Sequence, residues 1–266
     1  MTYENIIFEK LEGIATVTLN RPAVLNAVNY PLMSELRDAI DDAAKDAAVR
    51  VLILRGAGRA FSSGADIGEM DDLIGGWRKD PHAYIRHIRE QEHSLLLSLR
   101  KIEKPTIASI RGYAVGVACG IALCCDMRVM SAEAVFGPTF VRIGLMPGDG
   151  DSALLPALVG YGHAMEYLLT GQYIDADAAF RMGLANRVVP ADRLDDATNE
   201  LAEKVLQTAP KAVAACKAAL NRVLLPALQA DLEFSVREQT LLKQTSDHKD
   251  ALEAFLAKRH PVFAGR

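Results

Sequence analysis

The sequence predicts an α/β fold that ends in a helical C-terminal region. Three observations predict it. Short apolar runs at 51–55 and 107–110 each pass through glycines toward a segment of helical character. From residue 194 onward, amphipathic alanine-rich segments dominate, with breaks expected at Pro210 and Pro226. At 266 residues, half of them hydrophobic (50%), the chain can bury a large core.

In chain order, 6–9 and 14–19 read as strands of a hairpin turned at Glu12 and Gly13. Residues 30–44 place Leu32, Leu36 and Ile40 at helical spacing, with Pro31 suited to a first turn. Strand 51–55 turns at Gly56 and Gly58 and leads toward a helix start at Ile67, with Asp66 near its N-terminus. Residues 71–81 are polar, carry Gly75, Gly76 and Trp77, and read as a lid. A helix over 84–99 turns Ile85, Ile88 and 95–97 to the core. The central strand passes Gly112 and Gly116 into an almost wholly apolar segment, 117–125, which as a helix must be buried. The spacing of Gly112, Gly116 and Gly120 predicts small residues along one helical face. Strands at 127–130, 134–137 and 188–189 follow, with a glycine loop at 144–151 and helices near 152–159, 164–169 and 176–182. Two regions result, 1–195 and 196–266.

The net charge of −4 offers no basic surface for nucleic acid. The polar N-terminus carries no signal-peptide pattern, and the longest apolar stretch, 114–125, is too short for a bilayer. A cytoplasmic protein with no membrane partner is expected. Cys119, Cys124, Cys125 and Cys216 lack metal-type spacing and read as free thiols. No His or carboxylate adjoins Cys119 in sequence to make it a nucleophile. His82, His87 and His93 are five and six residues apart, off a common helical face; they read as surface histidines, and no metal is expected.

A strand that feeds through glycines into a helix start leaves backbone N–H groups without partners. Two such units occur, after 51–55 and after 107–110. If they converge they form a two-donor hole for one carbonyl oxygen. If not, they are two ordinary glycine-rich turns.

The stretch Gly58-Arg-Ala-Phe-Ser-Ser-Gly-Ala-Asp-Ile-Gly-Glu-Met70 resembles the first signature of the crotonase (enoyl-CoA hydratase/isomerase) superfamily. Lys104-Pro-Thr-Ile-Ala-Ser-Ile-Arg-Gly-Tyr-Ala-Val-Gly116, with Cys125-Asp126 and Phe136-Gly137, resembles the second. Asn20-Arg-Pro22 with Leu25-Asn-Ala27, and the tail from Lys258 to Arg266, fit the two ends of the family pattern. The resemblance implies a spiral of ββα turns, an acyl-CoA substrate, no separate cofactor beyond the coenzyme A of that substrate, and a homotrimer or dimer of trimers. It places an oxyanion hole at the backbone N–H groups of Ala65 and Val117, where Val stands in place of the more usual glycine. It implies a coenzyme A path along Leu25, Asn26 and Ala27 and the loop of Ala60, Ser63, Asp66 and Ile67. Tyr113, Gly116 and Phe140 join the substrate-binding set, and Lys258 and Phe263 stand at the phosphate end.

The departures from the family pattern carry the most information. Family hydratases use two glutamates, and aligned without gaps these fall on Gly120 and Phe140, neither of which transfers a proton. Replacement carboxylates are available in Pro147-Gly-Asp-Gly-Asp151. Asp149 is the first candidate acid/base and Asp151 the second, with turn formation or helix capping as the alternative for both. Arg142 is a further candidate, for an oxygenated acyl group or for pairing with an aspartate. The expected activity is that of an enoyl-CoA hydratase/isomerase. The alternatives are an isomerase or thioester hydrolase on an unusual acyl group, or a binding relative that lost its acids.

Overall fold

The structure, a computed structural model, describes residues 3–66 and 80–266, the side chain of Leu256 excepted. Strands β1 (Ile6–Leu11) and β2 (Ile14–Leu19) form the expected hairpin, with Glu12 and Gly13 both at positive φ. β3 (Val51–Gly56), β4 (Thr106–Ile110), β6 (Met127–Ser131) and β9 (Arg187–Val189) continue the sheet in the order β1-β2-β3-β4-β6-β9, each parallel to its neighbour after β2. β4 is buried along its length, Thr106 and Ser109 included. A second sheet joins β5 (Tyr113–Val115), β7 (Val135–Gly137) and β8 (Ile174–Asp175).

Helix α1 (Tyr30–Lys45) starts at Asn29, whose side chain accepts from Leu32 N at 3.0 Å, and buries Leu32, Leu36 and Ile40. α2 (Pro81–Ile88) begins at an Asp80 cap, so 80 and 81 belong to a helix start rather than to a lid. It runs through a π-helical turn, Arg89–His93, into α3 (Ser94–Lys101). α4 (Val117–Cys124) is buried at every residue. Only Gly120 of the spaced glycines lies in it. Gly112 and Gly116 bracket β5 at positive φ instead, because the chain must turn sharply there before it can coil.

α5 (Asp151–Val159), α6 (Tyr161–Thr170) and α7 (Ala176–Arg181) follow, and then α8 (Leu194–Leu206), α9 (Pro210–Leu242) and α10 (Ser246–Leu256). Pro226 does not break α9. It sits on the exposed side, where water can satisfy the carbonyl it frees, while Leu228, Leu232 and Val236 anchor the helix on its inner face. The chain beyond α10 is not helical. α9 lies across α2, α3 and α5, and α4 packs between α3 and α5. These packings bring four distant stretches of chain to one place. No helix among the described residues is long and apolar enough to cross a membrane.

Candidate active site

The two glycine-turned units run side by side. Phe61 N donates to Arg111 O (2.7 Å), Ser62 N to Tyr113 O (2.8 Å) and Val115 N to Ser62 O (3.2 Å). At the end of this ladder the backbones touch. A Cβ added to Gly64 would lie 2.6 Å from Val115 O and 3.6 Å from Gly116 Cα. Both are at positive φ, and Gly116 holds φ 57°, ψ −129°, a conformation that a side chain would strain. Ala65 and Val117 follow these glycines directly. Neither backbone N–H has a hydrogen-bond partner among the described residues. For Val117 the reason is its place as first residue of α4.

A third segment braces the pair. Leu25 and Asn26 both take left-handed φ, 54° and 55°. Asn26 is fully buried; its carbonyl accepts from Arg21 N (2.9 Å) and its amide donates to Ala57 O (2.9 Å) and Ala60 O (2.8 Å). Ser63 N donates to Leu25 O at 2.9 Å, and Arg21 joins Ala27 O at 2.5 Å to the Asp66 carboxylate at 3.0 Å. The Asn26 side chain is thus engaged within the protein. Ala60 and Ala27 are also buried, which leaves backbone and the neighbouring side chains to meet a ligand.

Asp149 occupies the space beside Gly120. A Cβ built on Gly120 would collide with Cβ and O of Asp149. Gly120 is one turn beyond Gly116 on α4, so Asp149 lies one helical turn from the apposed glycines. The Asp149 carboxyl is buried and hydrogen-bonded to Glu92, from the π turn. Lys243, just past the end of α9, is also buried, and its charge faces both carboxyls. Its ammonium donates to Tyr84 Oη at 2.5 Å and lies 4.1 Å from that ring's centroid. Gln239 seals the loop from behind, donating to Met146 O at 2.8 Å.

The electrostatics follow from one cation among several carboxyls. Burial, then the Glu92 and Asp151 charges, push the Asp149 carboxyl well above the usual range. Burial raises Glu92, while Lys243 and the Asp149 hydrogen bond lower it. Burial lowers Lys243 to about 8 against the raising charges of Glu92 and Asp149. Asp151 is the first residue of α5 rather than its cap, a place taken by Gly150 in a left-handed conformation. Burial and the neighbouring Asp231 charge push Asp151 to about 7, and burial carries Asp231 to about 6.

Other residues fall elsewhere than expected. His93 is buried, not a surface residue; the π turn shifts the facing of the residues beyond it, and burial lowers its imidazole to about 4. His82 is exposed, and His87 stacks edge-on to Tyr30 at 4.3 Å. Arg142 is exposed over the Tyr173 ring at 5.2 Å. Burial pushes the Cys119 thiol far up, against a nucleophilic role. Phe140 is half-buried at the start of a short 3-10 turn, and Tyr113 is exposed. The tail carrying Lys258 and Phe263 is exposed and folds back on α10, where Ala264 N and Gly265 N donate to Asp247 at 2.7 and 2.8 Å. Ile67, Asp71, Asp72 and Trp77 lie outside the described residues.

Glu92 and Lys243 were missed by the sequence reading. The available signal was a charge inside an apolar stripe. Glu92 falls between Ile88 and Leu95/Leu96/Leu99, and Lys243 continues the Val236, Gln239, Thr240 face of α9.

The paired glycine turns at the head of a buried helix define an enzyme of the crotonase fold. The family described as enoyl-CoA hydratase/isomerase matches residues 9–266, and the chain belongs to it. It is 36% identical to the crotonyl-CoA hydratase of Syntrophomonas wolfei over 100% of both chains. It is 38% identical to the short-chain-enoyl-CoA hydratase of Clostridium acetobutylicum over 97% of both. Among solved structures, an enoyl-CoA hydratase from Mycobacterium avium subsp. paratuberculosis superposes with a TM-score of 0.86 at 32% identity, covering 99% of this chain and 100% of that one.

Proposed function

We propose that this enzyme binds an acyl-CoA thioester, holds its carbonyl oxygen between the N–H groups of Ala65 and Val117, and moves protons at the acyl chain with Asp149. The contact of Gly64 with Gly116 carries this reading, because the residues that follow these glycines, Ala65 and Val117, have backbone N–H groups without partners among the described residues. Each such donor is worth about 3–4 kcal/mol to a developing enolate. Asp149 is a buried carboxyl one helical turn away, in the space that the first family glutamate would need. Asp151 is the second candidate, although its carboxyl faces Asp231. The pantetheine follows the 25–27 loop, Ser63 and Asp66, with Tyr113, Gly116 and Phe140 around the acyl end and Lys258 and Phe263 near the phosphates. Hydration of a short-chain enoyl-CoA is the favoured reaction, by likeness to the named hydratases. A homotrimer built on the helices from 196 onward fits the exposed Leu220, Val223 and Phe234 of α9. A reducing, cytoplasmic location fits four free cysteines.

The test is mass spectrometry of an acyl-CoA panel, crotonyl-CoA included, in deuterated water, with the wild type and Asp149→Asn. The expected result is one added water with deuterium at the α-carbon, lost at least ~100-fold in the variant while acyl-CoA still binds. Deuterium without water redirects the reading to isomerisation, and free CoA redirects it to hydrolysis. Binding without any turnover supports the second reading, an acyl-CoA-binding relative, which Gly120 and Phe140 in place of two glutamates favour.

A further inference from the structure

The buried Asp149 carboxyl is one half of a pair, the other half being the half-buried Glu92. Glu92 reaches it from the π turn Arg89–His93, a five-residue interruption between two regular helices. Such turns add a residue to the repeat, spoil the local hydrogen-bond geometry and recur at functional sites. Here the turn delivers a carboxylate to the face that α2 and α3 otherwise fill with Ile88, Leu95 and Leu96. Around the pair stand Tyr84 from α2, Lys243 and Gln239 from the end of α9, and Asp151 behind Asp149. The thiols of Cys119 and Cys124, on α4, also face the aspartates and are held neutral by burial. Lys243 is the one cation that acts on both carboxyls among the described residues.

We propose that Glu92 is a positioning residue for Asp149: the two carboxyls share one proton in their hydrogen bond, with Lys243 as counter-ion, and Asp149, the partner beside Gly120, delivers it to the reaction as an acid. This rests on the acyl-CoA reading above and narrows it. An enzyme whose buried carboxyl starts protonated adds a proton to the acyl chain in its first turnover. Proton removal as the opening step would need the opposite charge state. For an α,β-unsaturated thioester the balance is closed. Asp149 gives its proton to the α-carbon, and water gives its oxygen to the β-carbon and its proton to the Asp149 carboxylate so formed. Asp149 is thereby protonated again and hydrogen-bonded to Glu92, as at the start. No oxidant or further reactant is needed. Two carboxyls are thereby available again, although neither comes from Gly120 or Phe140.

The test compares wild type, Glu92→Gln, Glu92→Asp and Asp149→Asn in two measurements. The first is kcat and KM against pH on the acyl-CoA panel. Removing the Glu92 charge is expected to move the alkaline limb, where Asp149 loses its proton, down by about one pH unit. It is also expected to lower kcat about tenfold at neutral pH with KM little changed, and Glu92→Asp is expected to recover part of both. The second needs no turnover: carbon-13 NMR titration of the Asp149 carboxyl in labelled protein. The wild-type group is expected to stay protonated through neutral pH and to ionise at lower pH in Glu92→Gln. An Asp149 carboxyl that is ionised at neutral pH in wild type, or that titrates alike in both proteins, overturns the inference. If Asp149→Asn is inactive but Glu92→Gln has an unmoved pH profile, this inference fails and the role of Asp149 stands. If Asp149→Asn is fully active, the role of Asp149 fails as well.

Discussion

Two largely sheltered charged clusters flank α4, and they are opposite in balance. Beyond its C-terminal end, Asp126 meets two cations, Lys217 at 2.7 Å and Arg100 at 3.5 Å, and also accepts from Thr106 N at 2.8 Å and Thr106 Oγ1 at 3.0 Å. Lys217 Nζ has a further acceptor in Lys104 O at 2.9 Å. The carboxylate is fully engaged there, and the cluster ties β4, α3 and α9 together. Beside Gly120 the ratio is reversed. Among the described residues Glu92 and Asp149 share the charge of Lys243, and Asp151 and Asp231 add two further carboxyls. Burial alone therefore does not separate a structural ion cluster from a reactive one. The sign of the surplus does, because crowded buried carboxyls are driven to hold protons that they can then donate.

Breaking the first cluster is expected to have the largest effect on stability. Asp126→Ala leaves two sheltered cations without their partner and should cost about 3–5 kcal/mol, read from urea unfolding. A cost under ~1 kcal/mol would make the two clusters alike. Gly120→Ala comes next. Its methyl group has no room beside Asp149, so stability should drop by roughly 1–3 kcal/mol and turnover should fall with the displaced carboxyl. Asp151→Asn should act in the other direction. The folded carboxyl ionises near 7 and the unfolded one near the ordinary value of 3.8, so the folded state holds the extra proton between these values. Its contribution to stability is present below about pH 4 and lost as pH rises to 7. The variant should thus flatten the pH dependence and be more stable at pH 8, by roughly 1–3 kcal/mol. Thermal unfolding at pH 4, 6 and 8 checks this, and an unchanged slope would remove Asp151 from the surplus. Arg142→Ala, a control outside both clusters, should cost less than ~1 kcal/mol.

The course of the chain was legible because each buried parallel strand is a short apolar run and each turn after it is marked by glycine. The 51–55 and 107–110 units were legible as donors for the same reason. Their convergence was not, since only the ladder from Phe61 to Val115 brings Gly64 onto Gly116. Asp149 was visible as a carboxylate in a glycine loop. Glu92 and Lys243 were hidden because they sit on helices that look regular in sequence. A π turn leaves no simple residue signature, and a lysine near a helix end ordinarily reads as a solvated charge. Pro226 misled in the other direction, since an exposed proline does not end a helix that is anchored on its inner face.

The collision between Gly120 and Asp149 has a historical consequence. Any side chain at 120 meets Cβ and the main-chain O of residue 149, so a glutamate at 120 requires the 147–151 loop to lie elsewhere. Regaining a glutamate at 120 therefore takes a moved loop as well as a changed residue.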